Sequence, residues 1–264
     1  MIEPVNAVIL AGSRPGRDPL ANMHSVATKA LVPVAGQSML FHVLQTLLHC
    51  KAIGQILVLA QDLKVLESDP DCGALVSDPQ VTLATSSSTI ASSLEGLLTN
   101  EKASFPILIT TADNVLLNPS MVDHLVLEAA GSDIAIALVE RKILLESYPA
   151  SERTWLKFRG GQFSGANLFY FGSRRARQVL RYWADVEQDR KKGWKILTIF
   201  GPWLLFLALS RLLSVHQLAK RIGKKLDMGV RIVEMPQAEA CIDVDKQSDL
   251  EMVEQIMLER DRSN

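Results

Sequence analysis

Short unbroken apolar runs alternate, through the first half of the chain, with stretches whose apolar positions recur at helical spacing. Residues 5–11 form the first run and read as a buried strand. Met39, Val43, Leu44 and Leu47 then repeat every three or four residues, which predicts a helix ending near Gly54. Further strands are expected at 56–60, 81–84, 105–110 and 134–139, with helices between them at 92–98 and 120–130. Ser120 is the expected N-cap of the last of these.

Strands buried on both faces and separated by helices are the pattern of a mostly parallel sheet in an α/β domain. Such sheets bind ligands in the crevice beyond the carboxyl ends of their strands. The second half of the chain is less regular. Residues 155–158 and 167–171 read as strands around the turn Arg159-Gly160-Gly161, and 174–183 as a helix leading into a charged run. Residues 230–234 and 240–244 read as late strands and 248–258 as a final helix, with Ser248 and Glu251 spaced as a capping box. The economical reading is one domain over 1–264. Within it, 5–140 is the regular α/β half, 141–235 a less regular lid or substrate half, and 236–264 a late strand and helix.

One stretch disturbs this soluble pattern. Residues 196–215 are apolar apart from Thr198, Ser210, Arg211 and Ser214, and Gly201-Pro202 interrupts them. Lys191, Lys192 and Lys195 precede the stretch, and Lys220, Arg221, Lys224 and Lys225 follow it. A helix packed on the domain or forming a homodimer contact is one reading. A peripheral helix lying at an anionic membrane surface, spanning 196–225, is the other. A true bilayer span ranks below both.

With 264 residues, of which 48% are hydrophobic, the chain can build a large core. A net charge of -1 gives no global field for nucleic acid, so any basic site must be local. Cys50, Cys72 and Cys241 are far apart and carry no metal-ligand spacing, which fits a reducing cytoplasm.

The candidate chemistry clusters at the expected strand ends. After the first strand comes Gly12-Ser13-Arg14-Pro15-Gly16-Arg17. Gly12 and Gly16 allow positive φ and close approach of a ligand, and backbone N–H groups in such a turn form an anion nest. Arg14 and Arg17 add charge suited to phosphate, with Lys29 a further cation beyond the loop. Asp113 follows the strand at 105–110 and is placed either to hold a divalent cation or to cap a turn. In Ile242-Asp243-Val244-Asp245 the two carboxylates point to one side if the segment is extended. His24 lies in the first loop, where it could meet phosphate, and is read first as a solvated surface residue.

Together, LAGSRPGR followed by TKALVPVAGQSML, then TADN, then IDVDKQSDL, resemble the nucleotidyltransferases of the glycosyltransferase-A-like fold. The likeness is to the group containing the molybdenum-cofactor guanylyltransferase, sugar-phosphate nucleotidyltransferases and isoprenoid and inositol-phosphate cytidylyltransferases. That group usually opens with LAAGxGxRM…PK. Here Ser13 to Arg17 take a different spacing, and Thr28 precedes the lysine.

The resemblance implies a Rossmann-like, mostly parallel sheet flanked by helices. It implies transfer of a nucleoside monophosphate from an NTP to a small phosphorylated acceptor, with Mg²⁺ and release of pyrophosphate. Leu10, Ala11, Gly12, Ser13 and Gly16 would wrap the triphosphate, with Arg14, Arg17, Lys29 and Asp113 as catalytic residues. Asp113 and Asp245 would hold the metal, with Asp243 as an alternate. Ser86, Ser88 and Ser92 would lie beside the base and ribose, although a polar loop with capping serines explains them equally. Ser164, Gly165 and Asn167 would meet the acceptor, or Asn167 would cap a turn. A molybdenum-cofactor nucleotidyltransferase, a glycosyltransferase using nucleotide sugars, and a non-catalytic nucleotide-binding regulator are the alternatives. The single Asp113-Asn114 where a glycosyltransferase carries DxD argues against the second.

Overall fold

A computed structural model describes residues 4–12, 18–87, 90–99, 104–180 and 212–263. Ser13, Arg14, Gly16, Arg17 and Ser88 lie outside the described residues, as does most of the apolar stretch, 196–211, and the charged run before it.

The chain enters through β1 (Val5–Leu10), the short α1 (Pro19–Met23), the hairpin strands β2 (Pro33–Val34) and β3 (Gln37–Ser38), and α2 (Met39–His49). It continues through β4 (Ile53–Ala60), α3 (Leu63–Glu67), α4 (Cys72–Val76), β5 (Val81–Thr85) and α5 (Ile90–Thr99). Then follow β6 (Ile107–Thr111), α6 (Pro119–Ala129), β7 (Ile134–Glu140), α7 (Arg141–Ser147), β8 (Leu156–Phe158) and β9 (Gly161–Phe171). The last described elements are α8 (Val215–Leu226), β10 (Val230–Glu234) and α9 (Gln247–Ser263).

The main sheet has eight strands, ordered β10-β7-β9-β6-β1-β4-β5, with β8 added to β9. Pairs β5–β4, β4–β1, β1–β6 and β7–β10 are parallel. Among the described strands, β9 runs antiparallel to β6, β7 and β8. The mostly parallel α/β sheet expected from the apolar runs is therefore the architecture.

Strand alternation sends side chains to two cores. Val5, Ala7 and Ile9 of β1, Leu108 of β6 and Ala135, Ala137 and Val139 of β7 join one cluster with residues of α2, α6 and α9. Val8, Ile107, Ile109 and Ile134 join the other, with Leu94 of α5. α2 buries Met39, Leu40, Val43, Leu44 and Leu47 along one stripe, each side chain worth about 1.5–3 kcal/mol of transfer from water.

Several boundaries differ from the expected ones. α2 ends at His49, not Gly54, because Cys50 turns the chain and Gly54 is already within β4. The cap of α6 is Asn118, whose side chain accepts from the Met121 N–H; Pro119 supplies the first helical residue and Ser120 bonds to the Asn118 side chain. Residues 240–244 are not a strand. A 3-10 turn, Ala238–Cys241, packs its small residues into the core, and 242–245 follow as extended chain without ladder pairing. α9 begins at Gln247, so Ser248 is already helical and cannot be the N-cap.

β9 starts at Gly161, six residues before its expected beginning, and is interrupted by a bulge at Asn167. The 174–183 helix opens with a 3-10 turn, Arg174–Ala176, and its end lies outside the described residues. Of the apolar stretch, Leu213 and Val215 are buried while Leu212 is exposed, and Val215 starts α8 behind the capping box of Ser214 and Gln217. Lys220, Arg221, Lys224 and Lys225 face outward on α8. Among the described residues, no helix is long and apolar enough to cross a membrane.

Candidate active site

Four parallel strands end level with one another. The Leu10 carbonyl accepts from Ala112 N–H (3.0 Å), Ala11 N–H donates to Leu59 O (2.9 Å), and Ser86 N–H donates to Ala60 O (2.8 Å). Gly12, Gln61, Ser86 and Asp113 are thereby carried to one carboxyl edge. Ala11 N–H is spent on this ladder and cannot join an anion nest.

Gly12 is exposed, and its φ is not in the left-handed region, contrary to expectation. What glycine provides there is room: a Cβ would stand 3.0 Å from the Gln61 amide nitrogen. Ser86 presents a buried hydroxyl with no hydrogen-bond partner among the described residues, and Ser92 sits in the first turns of α5. Both are thus near the β5 end of the edge.

The centre of the edge is a cluster of charge. Lys29 opens a 3-10 turn (Lys29–Leu31) whose buried Ala30 and Leu31 anchor its backbone. Its ammonium lies 2.6 Å from Asp113 Oδ2 and 2.6 Å from Asp245 Oδ1. Burial alone would lower the Lys29 pKa, but the Asp113 and Asp245 carboxylates outweigh it and hold the group above its ordinary value. Asp113 accepts on Oδ1 from the Thr111 hydroxyl at 2.5 Å. The Asp113 carbonyl accepts from Val244 N–H (3.1 Å), which draws the 242–245 segment against the tip of β6.

Val244 is buried while Asp243 and Asp245 turn back towards Asp113, the same-side arrangement expected for extended chain. Carboxylate oxygens of Asp113, Asp243 and Asp245 all lie within 4.8 Å of one another. The three are not equivalent. Asp245 is exposed, with 61% of its side-chain surface accessible. Asp243 is largely enclosed, pairs with Arg153 through Oδ1 and accepts from Asn167 Nδ2 through Oδ2 at 2.9 Å. Burial, with the neighbouring charges of Asp113 and Asp245, raises its pKa against the pull of Arg153.

Arg153 was not singled out by the sequence. It also donates to the Asp243 carbonyl (3.2 Å) and reaches Asp249 Oδ1 at 3.5 Å. Asp249 in turn accepts from the N–H groups of Asp245 and Lys246 at 3.2 and 3.1 Å, fixing the turn into α9. Arg153 lies in an irregular loop with no local motif, so only the tertiary fold reveals it. Thr111 is the last residue of β6 and Asp113 lies in the turn that follows, so their contact comes from the turn and not from strand alternation.

Of the expected acceptor residues, Asn167 meets Asp243 rather than capping a turn. Ser164 is buried opposite Val139, and Gly165 is exposed opposite Leu138 with open space where a Cβ would stand. His24 bonds through Nε2 to Gln247 Oε1 at 3.2 Å, which places it on the rim near Asp245.

The sheet, its glycine-bearing first loop and the lysine and carboxylates on its carboxyl edge are the parts of an α/β nucleotidyltransferase. Residues 7–211 match the MobA-like NTP transferase domain, and the chain belongs to that family. No curated protein matches the sequence. Solved structures share the fold. A hypothetical transferase from Thermus thermophilus is 23% identical, with a TM-score of 0.76 over 94% of this chain and 99% of its own. The 4-diphosphocytidyl-2C-methyl-D-erythritol synthase of Anaerococcus prevotii is 12% identical, with a TM-score of 0.56 over 97% of this chain and 96% of its own. A CMP:2-keto-3-deoxy-manno-octonic acid synthetase complexed with CTP is 13% identical, with a TM-score of 0.55 over 98% and 99%.

Proposed function

We propose that this nucleotidyltransferase moves a nucleoside monophosphate from an NTP to a small phosphorylated acceptor, with Mg²⁺. The observation that carries the reading is the convergence of Lys29, Asp113, Asp243 and Asp245 on the carboxyl edge beside the loop after β1. In the reaction an acceptor phosphate oxygen bonds to the α-phosphorus. The bond from that phosphorus to the bridging oxygen breaks, and pyrophosphate leaves with the electron pair. A phosphate monoester dianion is already nucleophilic near neutral pH, so the protein's work is alignment and charge neutralisation.

The donor set fits the metal. Among the described residues the donors are three carboxylates, which suit a hard cation, and Mg²⁺ is commonly held by one or two carboxylates with substrate phosphates completing its shell. Asp113 and Asp245 would hold it, with Asp243 beside them. When bound it would offset the negative charge of the triphosphate. Lys29 would stabilise charge on the α-phosphate, and Arg14 and Arg17 would hold the phosphates beyond. Gly12, Ser13 and Gly16 would let the backbone approach them. Ser86, Ser88 and Ser92 would line the nucleoside side, and Ser164 and Gly165 the acceptor side. The names of the two synthases and the bound CTP in one of them support a nucleotide substrate.

The test is a pyrophosphate-release screen with Mg²⁺, four NTPs and a panel of hexose, inositol and polyol phosphates and molybdopterin. Release with one pair is expected. It should fall more than about a hundredfold in Asp113→Ala, since a metal-centred term is worth several kcal/mol. NTP binding without release across the panel would instead favour a nucleotide-binding regulator.

A further inference from the structure

We propose that the acceptor carries a second anionic group, a phosphate or a carboxylate, and that a basic cleft at the end of β7 receives it. The inference rests on the transfer reaction proposed above and narrows its acceptor.

The cleft has a volume of about 430 Å³ and opens between the start of α7 and the β8–β9 hairpin. That volume lies within the range of small-molecule sites. Its walls carry Arg141, Lys142 and Lys157 against one carboxylate, Glu140. In a chain of net charge -1 this is a local concentration of positive charge. The fold does not use that charge for pairing. Among the described residues, neither Lys142 nor Lys157 has an ion-pair partner. Arg141 stacks over the Trp155 ring, 5.9 Å from its centroid. Stacking orients the guanidinium and leaves its edge N–H groups to an anion.

Gly161 keeps the cleft open. A Cβ there would stand 2.9 Å from the Phe163 ring and 3.4 Å from Glu140 Oε1. Lys157 and Gln162 are directly opposite on β8 and β9, so their side chains share a face. Beside the cations, Glu140 and the Gln162 amide would accept from hydroxyl groups, while Phe158 adds apolar surface. That mixture suits a hydroxylated skeleton with a charged end better than a bare inorganic ion.

The position of the cleft ties it to the reaction. β6 and β7 both run antiparallel to β9, so β7 ends on the same edge as the turn carrying Asp113. Glu140 pairs with Phe163, four residues along β9 from Asn167, whose amide meets Asp243. Arg153, Trp155 and Lys157 stand at alternate positions of one stretch. The first pairs with Asp243, the second lies beneath Arg141 and the third lines the cleft. Four residues of chain span at most about 14 Å, so the cleft and the carboxylates are on the order of 10 Å apart. One sugar or polyol can bridge that distance with an anion at each end.

Sugars of one skeleton test this: glucose 1-phosphate, glucose 1,6-bisphosphate and glucuronic acid 1-phosphate, which differ only at carbon 6. Isothermal titration into the full-length protein with Mg²⁺ reads their affinities. At least one doubly anionic sugar should bind about tenfold more tightly than glucose 1-phosphate, the size expected of a few exposed ion pairs acting together. The tighter of the two tells phosphate from carboxylate. Lys142→Gln combined with Lys157→Gln, both at exposed positions, should abolish the difference. Acetylation followed by peptide mass spectrometry locates the binding. The tighter sugar should protect Lys142 and Lys157 severalfold and leave exposed Lys51 and Lys64 unchanged.

Equal affinities, a difference that survives the double variant, or no protection of Lys142 and Lys157 overturns the proposal. Pyrophosphate release with the same sugars and the four NTPs reports separately on the transfer reading. Release with glucose 1-phosphate as efficient as with either doubly anionic sugar keeps that reading and overturns the second anion. Protection of the cleft lysines without release from any NTP makes the cleft an effector site and counts against both.

Discussion

Asn167 reaches Asp243 from a left-handed backbone: its φ is +48°, and its amide donates to Asp243 Oδ2 at 2.9 Å. The bulge that imposes this φ sits between the pairs Ile136–Phe169 and Leu138–Gly165. β9 lies antiparallel beside β6, and its bulge comes just past the Thr110–Leu168 pair, close to the turn after β6 that carries Asp113. The bulge thus turns a strand side chain into a support for the carboxylate cluster.

Asparagine is among the few residues that tolerate this backbone. Asn167→Gly should keep the bulge and lose only the hydrogen bond to a carboxylate, worth about 1.5–3 kcal/mol. Asn167→Ala should lose the same bond and add about 1–2 kcal/mol of backbone strain. Urea unfolding would order the proteins wild type, Gly, Ala. An alanine variant as stable as the glycine variant would remove the strain argument.

The parallel strands were legible because burial on both faces makes each a run of apolar residues, and β1, β4, β6 and β7 all show it. Asp113 and the Asp243–Asp245 pair were legible because strand ends and alternation place them. What the sequence hid was the second set of contacts. Arg153 belongs to a loop without periodicity, and its link to Asp243 and Asp249 spans about ninety residues of chain. Residues 240–244 misled for a related reason. Their apolar character reflects burial against β7 and β9, which a 3-10 turn satisfies as well as a strand does. The bulge at Asn167 was equally hidden, since register is a property of neighbouring strands.

Acid should weaken the fold partly through Asp133. Burial would raise its pKa, but the Ser173 hydroxyl, Gly229 N–H and Arg175 outweigh it and hold the carboxyl below its ordinary 3.8. A group lowered on folding stabilises the native state above its unfolded pKa, and that contribution disappears as pH falls through the folded value. Asp133→Asn should therefore be less stable than wild type near neutrality, with the gap closing below about pH 4. Denaturation midpoints between pH 3 and 7 would show the convergence. A constant gap would mean that Asp133 acts by shape rather than by charge.

The three cysteines should behave as core residues. All are buried and free of disulfides, and burial pushes the Cys50 thiol to about 11 and those of Cys72 and Cys241 to about 12. Thiolate, the reactive form, is scarce at such values. An aromatic disulfide reagent at pH 8 should leave the native protein untouched and titrate three thiols in guanidinium. Rapid reaction of any one in the folded protein would contradict its burial.

Ala35 offers a stabilising change. It forms, with Gly36, the two-residue turn between β2 and β3, at φ +47° and +86°. Both positions of such a turn favour asparagine or glycine. Ala35→Asn or Ala35→Gly should relieve about 1 kcal/mol of strain, while the backbone N–H bonded to Glu254 is kept. A higher melting temperature is expected from either variant. An unchanged one would show that the hairpin already yields at no cost.

Arg153 gives the sharpest separation of support from chemistry. Its side chain is 9% exposed and faces two carboxylates, Asp243 and Asp249, while its Nε has no partner among the described residues. Arg153→Met should leave both carboxylates enclosed without a cation, at a cost of about 3–5 kcal/mol. Neutralising one of them relieves part of that cost. The double variant Arg153→Met with Asp243→Asn should therefore be more stable than the sum of the single changes predicts, by about 1 kcal/mol or more. Additive losses would mean that Arg153 is held by Asp249 alone. Asp243 would then be free of Arg153 and, although it still accepts from Asn167, a stronger candidate for holding metal beside Asp113 and Asp245.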